Sequence, residues 1–272
     1  MDAERVRALA CRIRKDVLAM TCRAGINGGH IGGALSSADI LAVLYGDVLR
    51  HTLADAVSLT RDRFILSKGH VALAHYAVLA EMEYFPVERL AEFEQPGGAF
   101  PTHEVRCEEY GIETSSGSLG YGLSVGIGCA LAARMQRQDY HTYVLMGDGE
   151  CNEGSIWEAA MAAARYRLTN LTAIVDLNGQ SLDGRMEDIM PIHDFSAVFR
   201  GFGWNVVTVD GHDIRQLHDA LLARATDRPT VVLAVTCKGK GVSSIEGVVG
   251  WHHAHLSEEQ YAAFVREVEE MS

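Results

Sequence analysis

The chain has 272 residues, of which 48% are hydrophobic, so it is long enough to bury one large core or two small ones as a globular protein. It carries 36 acidic and 24 basic residues, a net charge of −12 with no basic stripe, which argues against nucleic acid as a partner. The amino-terminal stretch is charged throughout, unlike a signal peptide, and no run approaches the ~20 apolar residues of a membrane span. We therefore expect a cytoplasmic protein without a membrane partner, whose cysteines stay reduced.

Helical and extended patterns alternate along the chain. Amphipathic or alanine-rich stretches predict helices at residues 6–23, 36–48, 71–82, 119–136, 155–167, 194–200, 214–225 and 257–271, the second of them starting at serines suited to capping. Short apolar runs predict strands at 63–67, 142–146, 171–175, 205–209 and 230–235, and residues 85–118 are predicted to be rich in loops. This alternation predicts an α/β fold, a three-layer α/β/α arrangement with a mostly parallel central sheet, as one domain over residues 1–272.

An acidic turn, GDGECNEG at residues 147–154, stands where the strand at 142–146 ends and a helix follows. A carboxylate in such a turn repels the phosphates that these turns usually hold, unless a cation lies between them. The next strand ends at DLNG, residues 176–179, so Asp148 and Asn178 are expected at the same edge of the sheet. Their oxygens and a backbone carbonyl would form half of an octahedral Mg²⁺ or Ca²⁺ shell, which phosphate oxygens would complete.

The chain resembles the amino-terminal half of transketolases over nearly its whole length. GDG followed at this distance by asparagine is similar to the thiamine diphosphate motif. The other motifs occur in the family's order and at about its spacing, namely NGGHIGG (27–33), LSKGH (66–70), SSGSLGYGLS (115–124), DLNGQSLDG (176–184), KGKG (238–241) and GWHH (250–253). The resemblance implies the diphosphate domain of the thiamine diphosphate-binding fold. It also implies transfer of a two-carbon ketol unit from a ketose, expected to be phosphorylated, to an aldose.

Carried over to this chain, the family pattern implies metal and cofactor contacts. The metal ligands would be Asp148, Asn178 and the backbone carbonyl of Gln180. The cofactor-binding residues would be His70, Gly117, Ser118, Leu119, Gly149, Glu153, Asn178 and His252. Within this set, the amide of Gly149 would reach a phosphate, and Glu153 matches a glutamate at the subunit interface near the second cofactor. Ser118 stands where most relatives have proline or serine.

Four of the 12 histidines fall at motif positions, and ketol transfer needs groups that exchange protons near neutral pH, as imidazole does. The resemblance implies that His70 and His252 approach the diphosphate. It implies that His30 and His252 line the reacting end of the sugar and that His103 holds a hydroxyl of the donor. The family's histidine-proline step is His103-Glu104 here, which is a departure from the pattern.

In this family a second domain holds the aminopyrimidine end of the cofactor, and no sequence remains here to form it. The chain is therefore interpreted as the amino-terminal subunit of a split transketolase. It would be active only with a separate carboxyl-terminal subunit, in a complex expected to hold two copies of each. One alternative is the α subunit of a 2-oxo acid dehydrogenase-type enzyme, which shares the metal motif. Another is a non-catalytic partner that retained the fold. LSKGH and GWHH favour a transketolase, and the intact histidine set favours catalysis.

Overall fold

A computed structural model describes residues 1–271 of the chain. In this part of the chain five strands form one sheet, in the order β1-β2-β3-β5-β4, and every pairing is parallel. The strands are β1 (Arg63–Leu66), β2 (Thr142–Gly147), β3 (Leu171–Leu177), β4 (Asn205–Asp210) and β5 (Thr230–Val235). The predicted parallel α/β sheet is therefore confirmed.

Helices cover both faces of the sheet. Nine α-helices lie within residues 1–271: α1 (Ala3–Arg23), α2 (Ile31–Val43), α3 (Ala72–Glu81), α4 (Gly122–Met135), α5 (Gly154–Arg165), α6 (Met186–Ile189), α7 (Phe195–Gly201), α8 (Ile214–Leu222) and α9 (Glu258–Glu270). One core joins the sheet to α1, α2, α3, α8 and α9, and the other joins it to α4, α5 and α7. The three-layer arrangement is confirmed.

Alternation along the strands assigns side chains to the two cores. In β2, Tyr143 and Leu145 belong to the core under α1 to α3, while Val144 and Met146 belong to the core under α4 and α5. Successive side chains of a strand point to opposite faces, and both faces are covered, so residues 143–146 are all apolar. This explains why the strands could be found as continuous apolar runs in the sequence.

Four predicted helix bounds are wrong by three residues or more. Helix α1 begins at Ala3 and not at residue 6, and α4 begins at Gly122 and not at residue 119. Helix α2 begins at Ile31 and not at Ser36, because two glycines near its start let it pack closely. A Cβ at Gly32 would overlap the backbone carbonyl of Trp251, so only glycine fits there. The serines lie inside the helix, where the hydroxyl oxygen of Ser36 is 3.0 Å from the carbonyl oxygen of Gly33. Helix α8 ends at Leu222, three residues before the predicted end at 225.

One helical stretch passes a length and composition test for membrane spans. It covers Ile31–Val48, with a mean hydropathy of 1.3, and 89% of it is buried within the fold. The sequence pattern alone had indicated no run long enough. Because this stretch packs against α1 and α3, its apolar character is accounted for by the core.

Candidate functional site

The ends of β2 and β3 bring the predicted metal ligands together. Gly147 pairs with Asp176 in the parallel register, so Asp148 and Asn178 leave the sheet side by side, as predicted. The Asp148 carboxylate accepts hydrogen bonds from the amides of Gly179 at 2.6 Å and Gly149 at 2.8 Å. In Asn178 the side-chain oxygen accepts from the Gln180 amide at 3.1 Å. The amide of Gly149, predicted to reach a phosphate, is thus engaged with its neighbour.

Asp148 is a buried carboxyl group whose hydrogen-bond donors, among the described residues, are backbone amides. The residue is only 3% exposed, and burial, followed by the charge of Asp176, raises its pKa to about 6. The two backbone amides that donate to it act in the opposite direction and do not compensate for burial. A divalent cation at this carboxylate would remove the conflict, so the site fits a metal that bridges the protein to an anion.

Asp176, in the last part of β3, is a highly connected polar residue of the site. It is fully buried and forms an ion pair with Lys68, and it accepts hydrogen bonds from Ser36 at 2.7 Å, from Asn178 at 3.0 Å and from Thr236. Burial by itself would raise the pKa of Asp176, but Lys68 and the hydroxyl donors hold it below its ordinary value. Asp176 therefore holds the side chain of Asn178 in position through this hydrogen bond.

A second lysine supplies positive charge on the other side of the site. The Lys238 ammonium donates to the carbonyl of Ser181 at 2.9 Å and to Nδ1 of His252 at 3.0 Å. Burial, followed by repulsion from Lys68, lowers its pKa to about 8. Lys68 is already paired with Asp176, whereas Lys238 forms no ion pair within residues 1–271, so the Lys238 ammonium next to the cavity favours an anionic ligand such as a diphosphate.

Four histidine rings lie close to the ring of a fifth, His30. The ring of His30, at the start of α2, lies with its centroid 5.5 Å from that of His70, 5.7 Å from His103 and 5.3 Å from His252. His253 is closer still, at 4.7 Å. The structure therefore brings together the four histidines selected from the sequence and adds His253, to which the sequence analysis gave no role.

Three of these imidazoles are neutral at physiological pH. Burial, followed by the charge of neighbouring groups, lowers the pKa of His30 to about 3, that of His252 to about 4, and that of His70 well below its ordinary value. Nδ1 of His30 is buried and has no hydrogen-bond partner among the described residues. Because Nδ1 of His252 accepts from Lys238, its hydrogen lies on Nε2.

A cavity of about 290 Å³ joins these groups. The predicted site residues that line it are His70, His103, Gly117, Leu119, Asp148, Gly149, Asn178, Gln180 and His252. A neighbouring cavity of about 660 Å³ shares Asp148, Asn178 and Gln180 with it. Most of the residues selected from the sequence thus border one space at the carboxyl edge of the sheet, the edge at which open α/β sheets bind ligands.

Three predicted site residues do not line this cavity. His30 adjoins it through its ring contacts, whereas Ser118 and Glu153 are not among its lining residues. Glu153 is exposed at the start of α5, where a Cβ added to Gly120 would crowd it. Its predicted position at a subunit interface stays a prediction.

Four residues to which the sequence analysis gave no role belong to the site: Lys68, Glu150, Asp176 and Lys238. Glu150 is buried, accepts from the amides of Gly120 at 2.9 Å and Gly147 at 3.0 Å, and so ties the glycine-rich loop to the acidic turn. All four lie inside quoted motifs, and a charged residue in a glycine-framed motif after an apolar strand is the signal that could have identified them.

The site differs from a cluster of strong metal-binding side chains. Within residues 1–271, no group of three or more His, Cys, Asp or Glu side chains is arranged to hold a metal ion. The predicted shell instead draws on one carboxylate, one amide oxygen and one backbone carbonyl, which suits a hard cation whose remaining ligands come from phosphate and water.

Comparison with protein families identifies the domain. The family model described as "Transketolase, thiamine diphosphate binding domain" matches residues 7–268. One of the relatives, from Phocaeicola vulgatus, is named as a subunit of an apulose-4-phosphate transketolase. It is 40% identical over 275 residues, which cover 99% of this chain and 96% of that protein. A 6-deoxy-6-sulfo-D-fructose transketolase subunit, SqwG, from a Clostridium species is 40% identical over 94% of both chains.

Solved structures agree with this assignment. The crystal structure of transketolase from Campylobacter jejuni matches with a TM-score of 0.90 at 29% identity, and the match covers 99% of this chain. The chain spans only 43% of that transketolase, so it corresponds to less than half of the longer enzyme. With its family model, its near full-length relatives and its fold in agreement, this chain belongs to the transketolase family, in which it represents the thiamine diphosphate-binding domain.

Proposed function

We propose that the chain, as one domain over residues 1–272, is the amino-terminal subunit of a cytoplasmic two-component transketolase. It would transfer a two-carbon ketol unit from a ketose, phosphorylated or similarly anionic, to an aldose. The activity would require thiamine diphosphate, Mg²⁺ (or Ca²⁺) and a separate carboxyl-terminal subunit, with two copies of each subunit in the complex. The relatives named as transketolase subunits, which have almost the same length as this chain, support this proposal.

One observation carries the proposal, namely the buried carboxylate of Asp148 beside the buried ammonium of Lys238. Both groups line one cavity and neither forms an ion pair within residues 1–271, so a cation at the carboxylate and a diphosphate at the ammonium would satisfy both charges. Asp148, Asn178 and the Gln180 carbonyl would hold the cation, and Lys238 would bind the diphosphate. Thiamine diphosphate supplies, when bound, the nucleophilic carbon for reaction with a ketose carbonyl.

The histidines would exchange protons with the sugar and hydrogen-bond to it. The neutral ring of His30, which lies among the other histidines, would exchange a proton with a sugar hydroxyl. His252 carries its hydrogen on Nε2, which can donate to a phosphate or sugar oxygen. His103 would hold a hydroxyl of the donor, and His70 would approach the diphosphate. Burial keeps His30, His70 and His252 unprotonated, so each of these three has both an accepting and a donating nitrogen at neutral pH.

The rim of the site offers a surface for the partner. Loops after β3 and β5 expose Leu182 (61%), Met190 (58%), Ile189 (46%), Val248 (43%) and Val249 (43%) at the edge where the cavity opens. Exposed apolar residues concentrated around a ligand site are typical of an interaction surface. We propose that the carboxyl-terminal subunit covers this rim and excludes water from the cavity.

The relatives reported above are named as transketolases or their subunits, so they do not favour the alternative of a 2-oxo acid dehydrogenase-type enzyme.

Reconstitution tests this function. The chain would be purified alone and together with the product of a neighbouring gene that resembles the carboxyl-terminal half of a transketolase. Both samples would be given thiamine diphosphate, Mg²⁺ and ribose 5-phosphate, with xylulose 5-phosphate, apulose 4-phosphate or 6-deoxy-6-sulfofructose as donor. We expect ketol transfer only from the mixture, in proportion to the limiting subunit. Enzyme-like turnover by the chain alone, or oxidation of 2-oxo acids by the mixture, would contradict the proposal.

A further inference from the structure

Glu104, the residue after His103, has its side chain buried away from the cavity. It is only 2% exposed, and its carboxylate accepts a hydrogen bond from Nδ1 of His75 at 2.6 Å. The other ring nitrogen of His75 lies 2.7 Å from the hydroxyl of Tyr45. A buried carboxylate needs partners, and this one has an imidazole and, through it, a phenol.

The direction of these hydrogen bonds follows from the donors available. Burial raises the pKa of Tyr45 well above its ordinary value, so its hydroxyl keeps its proton. Among the described residues, that hydroxyl hydrogen-bonds to the His75 ring alone. Tyr45 therefore donates to Nε2 of His75, and His75 donates from Nδ1 to Glu104, so both ring nitrogens of His75 have a hydrogen-bond partner.

These hydrogen bonds connect the parts of the protein that carry three of the four predicted catalytic or binding histidines, namely His30, His70 and His103. Tyr45 follows α2, and His30 directly precedes that helix. His75 lies in α3, which follows His70 in the sequence, and Glu104 adjoins His103. The three residues thus join parts of the chain that are 29 or 30 positions apart in sequence. The bonds are buried, so water does not compete for them.

Glu104 also holds the neighbouring cofactor loop through its backbone. Its carbonyl accepts from the amide of Ser116 at 2.9 Å, directly before Gly117. A Cβ at Gly117 would lie 3.8 Å from the His103 side chain, so the two loop segments are in contact. The position of Glu104 therefore fixes both the histidine and the glycine-rich segment that line the cavity.

We propose that Glu104 is a positioning residue for His103 and for the loop at 116–117, and that it acts through a buried relay of hydrogen bonds from His75 and Tyr45. The part of this inference that concerns turnover rests on the proposed function. The part that concerns loop placement is independent of any activity and can be measured on the chain alone.

Hydrogen exchange tests the placement. In the Glu104→Ala variant we expect amide exchange across residues 103–117 to accelerate by about tenfold or more. In Glu104→Gln, whose side-chain oxygen can still accept from His75, exchange should stay within about twofold of the parent chain. Unchanged exchange in Glu104→Ala, or equal acceleration in both variants, would overturn the proposal.

A matched control separates this effect from general destabilisation. Asp62 is another fully buried carboxylate, which accepts from Arg50 and from the His141 amide at 2.8 Å, but it lies before β1 at the opposite edge of the sheet. Asp62→Asn should lower the melting temperature without accelerating exchange at 103–117. If it accelerates exchange there as much as Glu104→Ala does, the loop responds to stability alone and the proposal fails.

Kinetics of the reconstituted pair test the consequence for catalysis. Glu104→Ala should lower kcat/KM for the ketose donor by about tenfold or more, with most of the change in KM if His103 holds the donor, while Glu104→Gln recovers most of the activity. Asp62→Asn should keep the parent kcat/KM. If the parent pair has no activity, the proposed function fails while the exchange result still decides the placement. If the pair is active and Glu104→Ala matches the parent, the positioning role is wrong.

Discussion

At the residue scale, the site depends on charged groups that are buried by the fold itself. Burial disfavours charge, so it raises the pKa of Asp148 to about 6 and lowers the pKa of Lys238 to about 8. Asp176 behaves in the opposite way since Lys68 pairs with it directly. Asp176 is paired with a lysine and Asp148 is not, although the two are only 28 residues apart in the chain. Asp148 is therefore the carboxylate that suits a cation.

The pH dependence of stability tests the unpaired state of Asp148. The folded chain holds this proton more tightly, with a pKa of about 6 against an ordinary value of 3.8, so ionisation weakens folding as the pH rises through that window. Relative to Asp148→Asn, whose side chain does not titrate, the ligand-free parent should lose about 2 kcal/mol of stability between pH 4 and pH 7. Chemical denaturation at several pH values measures this.

Substitutions of Asp148 also test the metal site. Mg²⁺ with thiamine diphosphate should remove the pH dependence of the parent, because a bound cation favours the ionised carboxylate, and should not stabilise Asp148→Asn. Asp148→Ala should weaken cofactor binding at least tenfold, about 1.4 kcal/mol, by calorimetry on the complex. Equal cofactor affinity in parent and variant would remove Asp148 from the metal shell.

His30 is predicted to act on substrate and not to hold the cofactor. His30→Ala should lower turnover by ~10²-fold because it removes a proton acceptor at the reacting centre, while cofactor affinity changes little. Steady-state kinetics and cofactor titration of the same preparation separate the two effects. His252→Ala serves as the comparison, since its contact with Lys238 predicts both defects. A fully active His30→Ala variant would exclude the catalytic role.

At the scale of elements, close packing of helices on the sheet places the loops of the site. Helix α4 follows the glycine-rich loop and packs on β1 and β2 through glycines. A Cβ at Gly122 would overlap Ser67, and one at Gly126 would overlap Val144. Helix α2 makes a similar approach through Gly32 and places His30 at its first turn. These contacts set the distance between the loops and the strand ends.

Two glycines of α4 give a matched pair of substitutions. Gly126→Ala should lower the free energy of unfolding by about 1 to 2 kcal/mol, because the added methyl group meets the buried Val144 side chain. Gly128→Ala, where the added Cβ has no neighbour within 4 Å, should raise it by roughly 0.5 to 1 kcal/mol through helix propensity. Urea unfolding of both variants decides this, and stabilisation by Gly126→Ala would show that the helix can shift.

At the scale of the whole molecule, the site lies at the carboxyl edge of the sheet, where the segments after β3 and β5 also expose apolar side chains. The cavity of about 290 Å³ lies next to the larger one of about 660 Å³, and both are bordered by Asp148, Asn178 and Gln180. A partner that covers the rim would convert this open edge into an enclosed site, in which charges interact more strongly.

Assembly tests the role of the rim. Met190→Asp places a charge among exposed apolar side chains and should weaken association with the carboxyl-terminal subunit by about tenfold or more. Met135→Asp is the control, because Met135 is 84% exposed at the far end of α4, away from the site edge. Size-exclusion chromatography of the mixtures should show the complex for the control and separate subunits for Met190→Asp. Equal assembly of both variants would place the interface elsewhere.

The sequence by itself determined the sheet, most of the helices and the meeting of Asp148 with Asn178. Apolar runs and helical periodicity report how each residue is buried, and parallel connectivity then fixes which strand ends share an edge. The amino-terminal start of α2 was missed because glycines, which indicate loops in sequence, serve there to allow close contact with the segment at Trp251.

Only the tertiary structure decided which charged groups pair and which stay unpaired. Lys68 and Asp176 are 108 positions apart, and His75 meets Glu104 across 29 positions. Periodicity describes the face on which a side chain lies but not the partner it meets there, since that depends on the packing of several elements at once. The buried pairs Lys68–Asp176 and His75–Glu104, and the cluster of histidines around His30, are properties of that packing.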